Sequence, residues 1–288
     1  FVLYSKKGGV PLALNGSGRA PAGAALDWYL ERGRRDIAVE TPHAVTVPGA
    51  VDAWCTLGRE HGTRPLGELL EPAALAAESG YVVTPRVAFD WQRNAAKLRD
   101  PVTAALFLPG GRAPQAGERM RNPPLAATLR RIGREGREAF YDGPVMRDIV
   151  ARLKGLGGLH EAEDFAAQRS EWVAPITTAY RGFDVYECPP NGQGLAALMM
   201  LRTLEGYALG GEAFGEADRL HLLAEAAKAA YWARDAYIAD PQHAAVDVAG
   251  LLSEARAERV RRHIRLDRAR PGPSWQEVEE AEHKDTTY

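Results

Sequence analysis

Cysteine is nearly absent from this chain. Cys55 and Cys188 are the only two among 288 residues. Two thiols exclude a disulfide-rich scaffold and a four-cysteine zinc site. They leave either one bridge or two buried free thiols, the blander outcome. No two of the seven histidines stand in a His-Glu-x-x-His arrangement, so that metal-binding signature is missing. Long apolar runs are missing too. Patches such as Leu195–Leu201 fall short of the roughly 18 residues a membrane-spanning helix needs, and no membrane partner is expected. Charge of one sign is not in excess, since 36 Lys plus Arg face 38 Asp plus Glu for a net −2. A dedicated nucleic-acid binder usually shows a basic surplus or face, so nucleic acid is not expected as a partner. There is no Gly-x-Ser-x-Gly elbow, no P-loop or dinucleotide fingerprint, and no repeat of 20–50 residues.

What is present is ordinary globular material, 45% hydrophobic and 26% charged, enough for a sizeable core. The length allows one large domain or two small ones. The absence of a clean compositional boundary favours a single domain over 1–288. Phe1–Tyr4 and Val10–Leu14, joined across Lys6-Lys7-Gly8-Gly9, predict a hairpin. The glycine-rich stretch Asn15–Pro21 follows, as a tight turn or as a loop whose N–H groups approach an anion. Helical patterns cover Ala22–Arg32, about 50–61, Leu66–Ser79, Pro85–Lys97, Leu125–Phe140, Gly143–Lys154, Asp164–Arg169, Leu195–Gly206, Asp218–Ile238 and Leu251–Leu266. In Leu66–Ser79 the apolar residues Leu69, Leu70, Ala73, Ala74 and Ala77 are expected on one face. Asp100–Arg121, rich in Gly, Pro and Arg, is expected as a long exposed loop. Ile176–Tyr180 and Phe183–Cys188 read as paired strands about Arg181-Gly182. Phe1 reads as a strand already under way, and the charged stretch 277–285 runs to the end without a closing element. The chain is therefore expected to be a segment of a longer protein, and its localisation, cytoplasmic or periplasmic, is not fixed by composition.

Conventional site chemistry is weak. His221 lies on an apolar helix and reads as a satisfied, partly buried side chain. Glu279-Glu280 sits in a charge run. Spacing alone stops at a helix-rich globular protein.

An ordered set of short motifs goes further. Asn15-Gly-Ser-Gly-Arg-Ala-Pro21, Val47-Pro-Gly-Ala-Val-Asp-Ala-Trp54, Pro189-Pro-Asn-Gly-Gln-Gly194, Glu225-Ala-Ala-Lys228, Arg234-Asp235 with Ala239-Asp-Pro241, and Asp285-Thr-Thr-Tyr288 occur in that order. Together they resemble the gamma-glutamyltranspeptidase family of the N-terminal-nucleophile hydrolases. The resemblance implies an α+β fold, the αββα sandwich of that superfamily, of which this chain supplies a helix-rich part. It also implies a precursor that cuts itself before a Thr. Asp285–Thr286 matches that junction, making 1–285 the large-subunit portion and 286–288 the start of the small subunit. The partners implied are the small subunit of the same precursor and a small-molecule γ-glutamyl or other acyl amide. No metal or organic cofactor is implied, and the chain alone is expected to be inactive.

Chemistry makes sense of a Thr at that place. A hydroxyl is a weak nucleophile and needs an adjacent base. A freed N-terminal Thr carries its own in the α-amine, whose unperturbed pKa is about 7.7–8.0. The same hydroxyl can first attack the Asp285 carbonyl, converting the peptide to an ester that water cleaves. Without the resemblance, Thr286-Thr287-Tyr288 would read as the start of a β-strand.

In the family an Arg of the early loop holds the substrate α-carboxylate, for which a guanidinium fork is suited. Counting back from Ala20-Pro21, that position falls on Ser17, and an Arg stands two residues later at Arg19. Arg19 is thus either a shifted carboxylate ligand or a surface ion-pair partner, and the pocket either keeps glutamyl or prefers another acyl group. The reading is a self-processing γ-glutamyltransferase or glutathione hydrolase. The alternatives are a Thr-dependent amidohydrolase or acylase of oxamate or cephalosporin type, and a non-catalytic scaffold keeping the fold. Val47-Pro-Gly and the 189–194 loop read as architectural. Lys228, Arg234 and Asp235 read as a structural ion network.

Overall fold

Where an apolar period runs unbroken between glycines and prolines, the chain is helical. The computed structural model describes residues 1–271 and residue 275. It is α+β, 51% helical with small sheets. It divides into two compact units, residues 18–169 and residues 1–17 joined by 170 onward.

Residues 18–169 are almost all helix. Ala50–His61 starts directly after Val47-Pro48-Gly49, with Gly49 as its N-cap. Leu66–Ser79 has the predicted bounds, but its buried stripe is Ala74 and Ala77 with half-buried Leu70, while Leu69 and Ala73 face solvent. The partner surface, Ala126 and Leu129 of helix Pro123–Glu135, meets only this narrower strip. Gly67 and Gly133 let the two backbones touch, since a β-carbon on Gly133 would lie 2.7 Å from the Gly67 Cα. The expected single helix 125–140 is two, Pro123–Glu135 and Glu138–Tyr141. Gly136, at φ +72°, ends the first, a conformation glycine adopts at little cost. The expected loop 100–121 holds the helix Pro101–Phe107, because Asp100 caps it by accepting the Thr103 N–H at 2.9 Å and Pro101 suits the first turn. Arg119–Met120 then pairs antiparallel with Tyr81–Val82. Helix Leu26–Leu30 is shorter than the pattern 22–32 suggested, since Pro21 and Ala24 close a turn ahead of it. The core of this unit gathers Val47, Val51, Ile132, Ala139, Tyr141, Met146 and Phe165.

The second unit opens with the predicted hairpin, Val2–Tyr4 against Leu12–Asn15 with Val2 opposite Leu14. The short strand Glu171–Val173 extends it, Leu14 opposite Trp172. Its sequence was too short to register as a strand. Ile176–Tyr180 and Phe183–Glu187 form the expected hairpin, turned by Arg181 and Gly182 with φ of 53° and 81°, the signature of a type I′ turn. Helices Gly194–Glu205 and Glu216–Tyr237 pack through Leu195, Ala196, Met199, Ala230 and Ala233. The pattern 251–266 is again two helices, Val248–Leu251 and Glu254–His263, separated by Ser253, whose hydroxyl caps the second. Cys55 and Cys188 are free thiols, and burial pushes both pKa values up.

Candidate functional site

The strand Leu12–Asn15 ends in Asn15, and the chain turns at once. The Ser17 N–H donates to Asn15 Oδ1 at 3.1 Å, an Asx-type turn that Asn favours. The Ser17 hydroxyl donates to the same oxygen at 2.8 Å. It also accepts from Asn191 Nδ2 at 3.1 Å, which brings in the 189–194 loop. Asn15, Ser17 and Asn191 are all half-buried. Ser17 is thus knit to two side-chain amides, and at this position the chain carries a hydroxyl where a guanidinium was expected. The cluster offers amide and hydroxyl groups, which can hydrogen-bond a carbonyl, amide or hydroxyl of a substrate.

The 189–194 loop is held from behind. Arg234 of helix Glu216–Tyr237 donates to Gln193 Oε1 at 2.9 Å and to Asp235 at 2.7 Å, with its guanidinium 4.8 Å over the Tyr231 ring. Gly194 admits the Glu187 side chain, which a β-carbon would meet at 2.6 Å. Lys228 does not join this group. It pairs with Glu225, so the expected single network of Lys228, Arg234 and Asp235 is two separate ones.

Arg19 belongs to the other unit. Its residue is exposed, and its carbonyl accepts the Val47 N–H at 2.9 Å. Gly18 sits against the Val47 carbonyl, and this close approach explains the pairing of the two glycine motifs. Val47-Pro48-Gly49 is itself fixed by a buried knot. Tyr141 donates its hydroxyl proton to Pro48 O at 2.6 Å and accepts the Asp52 N–H at 3.1 Å. Burial pushes the Tyr141 pKa up to about 12. Asp52, 2% exposed, accepts from Arg137 Nε at 2.6 Å, and Arg137 also donates to Gln168 O at 2.6 Å. The architectural reading of that motif fits these contacts. His160, fully buried, holds the Val45 carbonyl at 2.9 Å. His221 is partly buried, with Nε2 2.7 Å from the Arg265 carbonyl.

Asp285 and Thr286 lie outside the described residues. Of the expected site residues, the structure therefore places Ser17 and Arg19, in different units. From the sequence, Asn191 reads as a residue that could line the site within a loop taken first as architectural, and Asn15 only as the start of the glycine-rich stretch. Among the described residues no group of three or more His, Cys, Asp or Glu is arranged to hold a metal ion. No helix of the described residues is long and apolar enough to cross a membrane.

Comparison with known proteins places this helix-rich α+β chain. The structure superposes on the gamma-glutamyltranspeptidase of Helicobacter pylori with a TM-score of 0.82 at 27% identity, covering 94% of this chain and 79% of that one. In sequence it is 36% identical over 252 residues to the glutathione hydrolase-like YwrD proenzyme of Bacillus subtilis, 87% of this chain and 48% of that protein. It is 39% identical over 281 residues to the acylase ACY 1 proenzyme of a Pseudomonas strain, 93% and 50%. The fold is the N-terminal-nucleophile hydrolase fold of these neighbours. The gamma-glutamyltranspeptidase family model matches residues 1–288, and the chain belongs to that family. It spans about half the length of the curated relatives it matches.

Proposed function

We propose that this chain carries the large-subunit portion of a self-processing amide-cleaving enzyme whose precursor splits between Asp285 and Thr286. The observation that carries the reading is the Asp-Thr-Thr-Tyr stretch at 285–288, within a family match that runs across the whole chain. Relatives named as proenzymes support it. Thr286 attacks the Asp285 carbonyl, the peptide nitrogen leaves as the new α-amine, and water releases the ester. The bared amine then takes the hydroxyl proton while Thr286 attacks a γ-glutamyl amide, and it returns that proton to the substrate nitrogen, which leaves as the free amine. The resulting acyl ester resolves by water in hydrolysis, or by an amino acid or peptide in transfer. The remainder of the precursor, the small subunit, supplies the other groups of the site, including donors for the oxyanion.

The amide groups set against Ser17 favour a second reading of the acyl group. Ser17 sits at the position expected for the carboxylate-binding Arg, and the side-chain amides of Asn15 and Asn191 are among its partners. An acyl chain ending in an amide, hydroxyl or carbonyl suits that cluster, and a relative named as an acylase is in keeping with it. The full-length product decides both points. It should run as two fragments, and Thr286→Ala should stay whole; cleavage persisting in that variant removes the nucleophile assignment. Turnover of a γ-glutamyl anilide supports glutamyl specificity. Turnover of other acyl amides without it supports the acylase reading.

A further inference from the structure

Helix Glu216–Tyr237 carries an ion pair between a buried carboxylate and a half-buried lysine that no step above uses. Glu225 is 1% exposed, and Lys228, one turn on, places Nζ 2.5 Å from its Oε1. Both side chains then grip the backbone of one residue. The Arg270 N–H donates to Glu225 Oε1 at 3.1 Å, and Lys228 Nζ donates to the Arg270 carbonyl at 2.7 Å. Five residues further, Trp275 is fully buried with Ala229 and Val260, and Trp232 and Ile264 pack beside them. The Arg270 guanidinium lies 4.8 Å from the centre of its indole. The segment after helix Glu254–His263 is therefore fastened at two points.

A Glu–Lys pair with its carboxylate buried adds little stability, because desolvation offsets most of the attraction, and defined geometry is the better-attested return. Here the geometry defined is the path of a backbone. That backbone leads to the junction, since Thr286 is eleven residues beyond Trp275.

We infer that Glu225, Lys228 and Trp275 are positioning residues for self-cleavage, anchoring the segment of chain that leads to the Asp285–Thr286 bond. The inference rests on the reading of that bond as the processing junction. An eleven-residue chain fixed at one end reaches at most about 40 Å, which confines the junction and raises its effective concentration at the reacting centre. With the anchor released, the free stretch runs back to Arg265, whose carbonyl is held by His221, 21 residues from Thr286. By loop-closure scaling this lengthening alone lowers the closure probability about threefold. Once the bond is cut, Thr286 is no longer tied to Trp275. The anchor therefore governs maturation and leaves turnover alone.

The test uses the full-length precursor as wild type, Lys228→Met, Trp275→Ala, Trp275→Phe and the double variant Lys228→Met/Trp275→Ala. The half-time for appearance of the two fragments is recorded, then the kcat of the fully matured protein and its melting temperature. Trp275→Ala should lengthen the half-time about twofold and its combination with Lys228→Met about threefold, with Lys228→Met alone and Trp275→Phe between wild type and these, and every matured kcat within twofold. Unchanged half-times overturn the inference. So does a kcat that falls in step with processing, which marks a general folding role. If Trp275→Ala fails to fold, Lys228→Met and Trp275→Phe carry the comparison. A wild-type precursor that never splits removes the processing reading itself; one that splits as fast as its variants removes only the anchor.

Discussion

A β-carbon on Gly18 would lie 1.5 Å from the carbonyl oxygen of Val47. The two backbones are in contact there, and the Val47 N–H is bonded to the neighbouring Arg19 carbonyl. No side-chain rotation can relieve that clash, so Gly18→Ala must push the two backbone segments apart. Its cost should fall at the upper end of overpacking effects, about 3 kcal/mol, in urea unfolding of the full-length protein. A loss under about 0.5 kcal/mol would show that the loop yields freely.

Arg137 is the ionic partner of buried Asp52. Arg137→Met leaves that carboxylate without its guanidinium and should destabilise by about 3–5 kcal/mol. Asp52→Asn placed on the Arg137→Met background should recover part of the loss, because no buried charge remains. Strict additivity in this double-mutant cycle would contradict the coupling.

Tyr141 gives a pH signature. Its folded pKa of about 12 lies above the ordinary value of 10, chiefly through burial. The fold favours the neutral phenol, so its contribution is complete below pH 10 and disappears as the pH rises through 12. Tyr141→Phe should flatten the stability profile in that window. At neutral pH it should cost about 1–3 kcal/mol, since Pro48 O and the Asp52 N–H lose a partner. An unaltered alkaline profile would be evidence against this assignment.

Ser17 tests the acyl pocket. Ser17→Ala removes one neutral donor–acceptor, worth about 1 kcal/mol, and should raise KM about fivefold for the preferred amide with kcat nearly retained. A matching fall in kcat would instead place Ser17 in transition-state binding.

The helices were legible where local chemistry spoke alone. The bounds of Leu66–Ser79 came out as read, since Pro65 and Gly80 flank a continuous apolar period. Reading failed where one residue redirects the backbone. Gly136 splits a pattern that periodicity would continue, and Asp100 nucleates a helix in a stretch whose composition suggests a loop. Leu69 and Ala73 were misassigned because the width of a buried stripe is set by the partner helix, which a sequence window does not contain. In the candidate site, Ser17 was reached through resemblance to a family. Its partner Asn191 lies 174 residues away, and no spacing rule links the two. The Asp52–Arg137 pair, 85 residues apart, was hidden for the same reason.

The crossing of Gly67 and Gly133 has a consequence for how this protein can vary. Most packed contacts can trade bulk, one side shrinking while the other grows. Here both partners are already at the smallest size the genetic code offers, so neither can make room for the other. Change at that crossing must come as a shift of an entire helix, and the two positions should behave as a single locked unit in any library of substitutions.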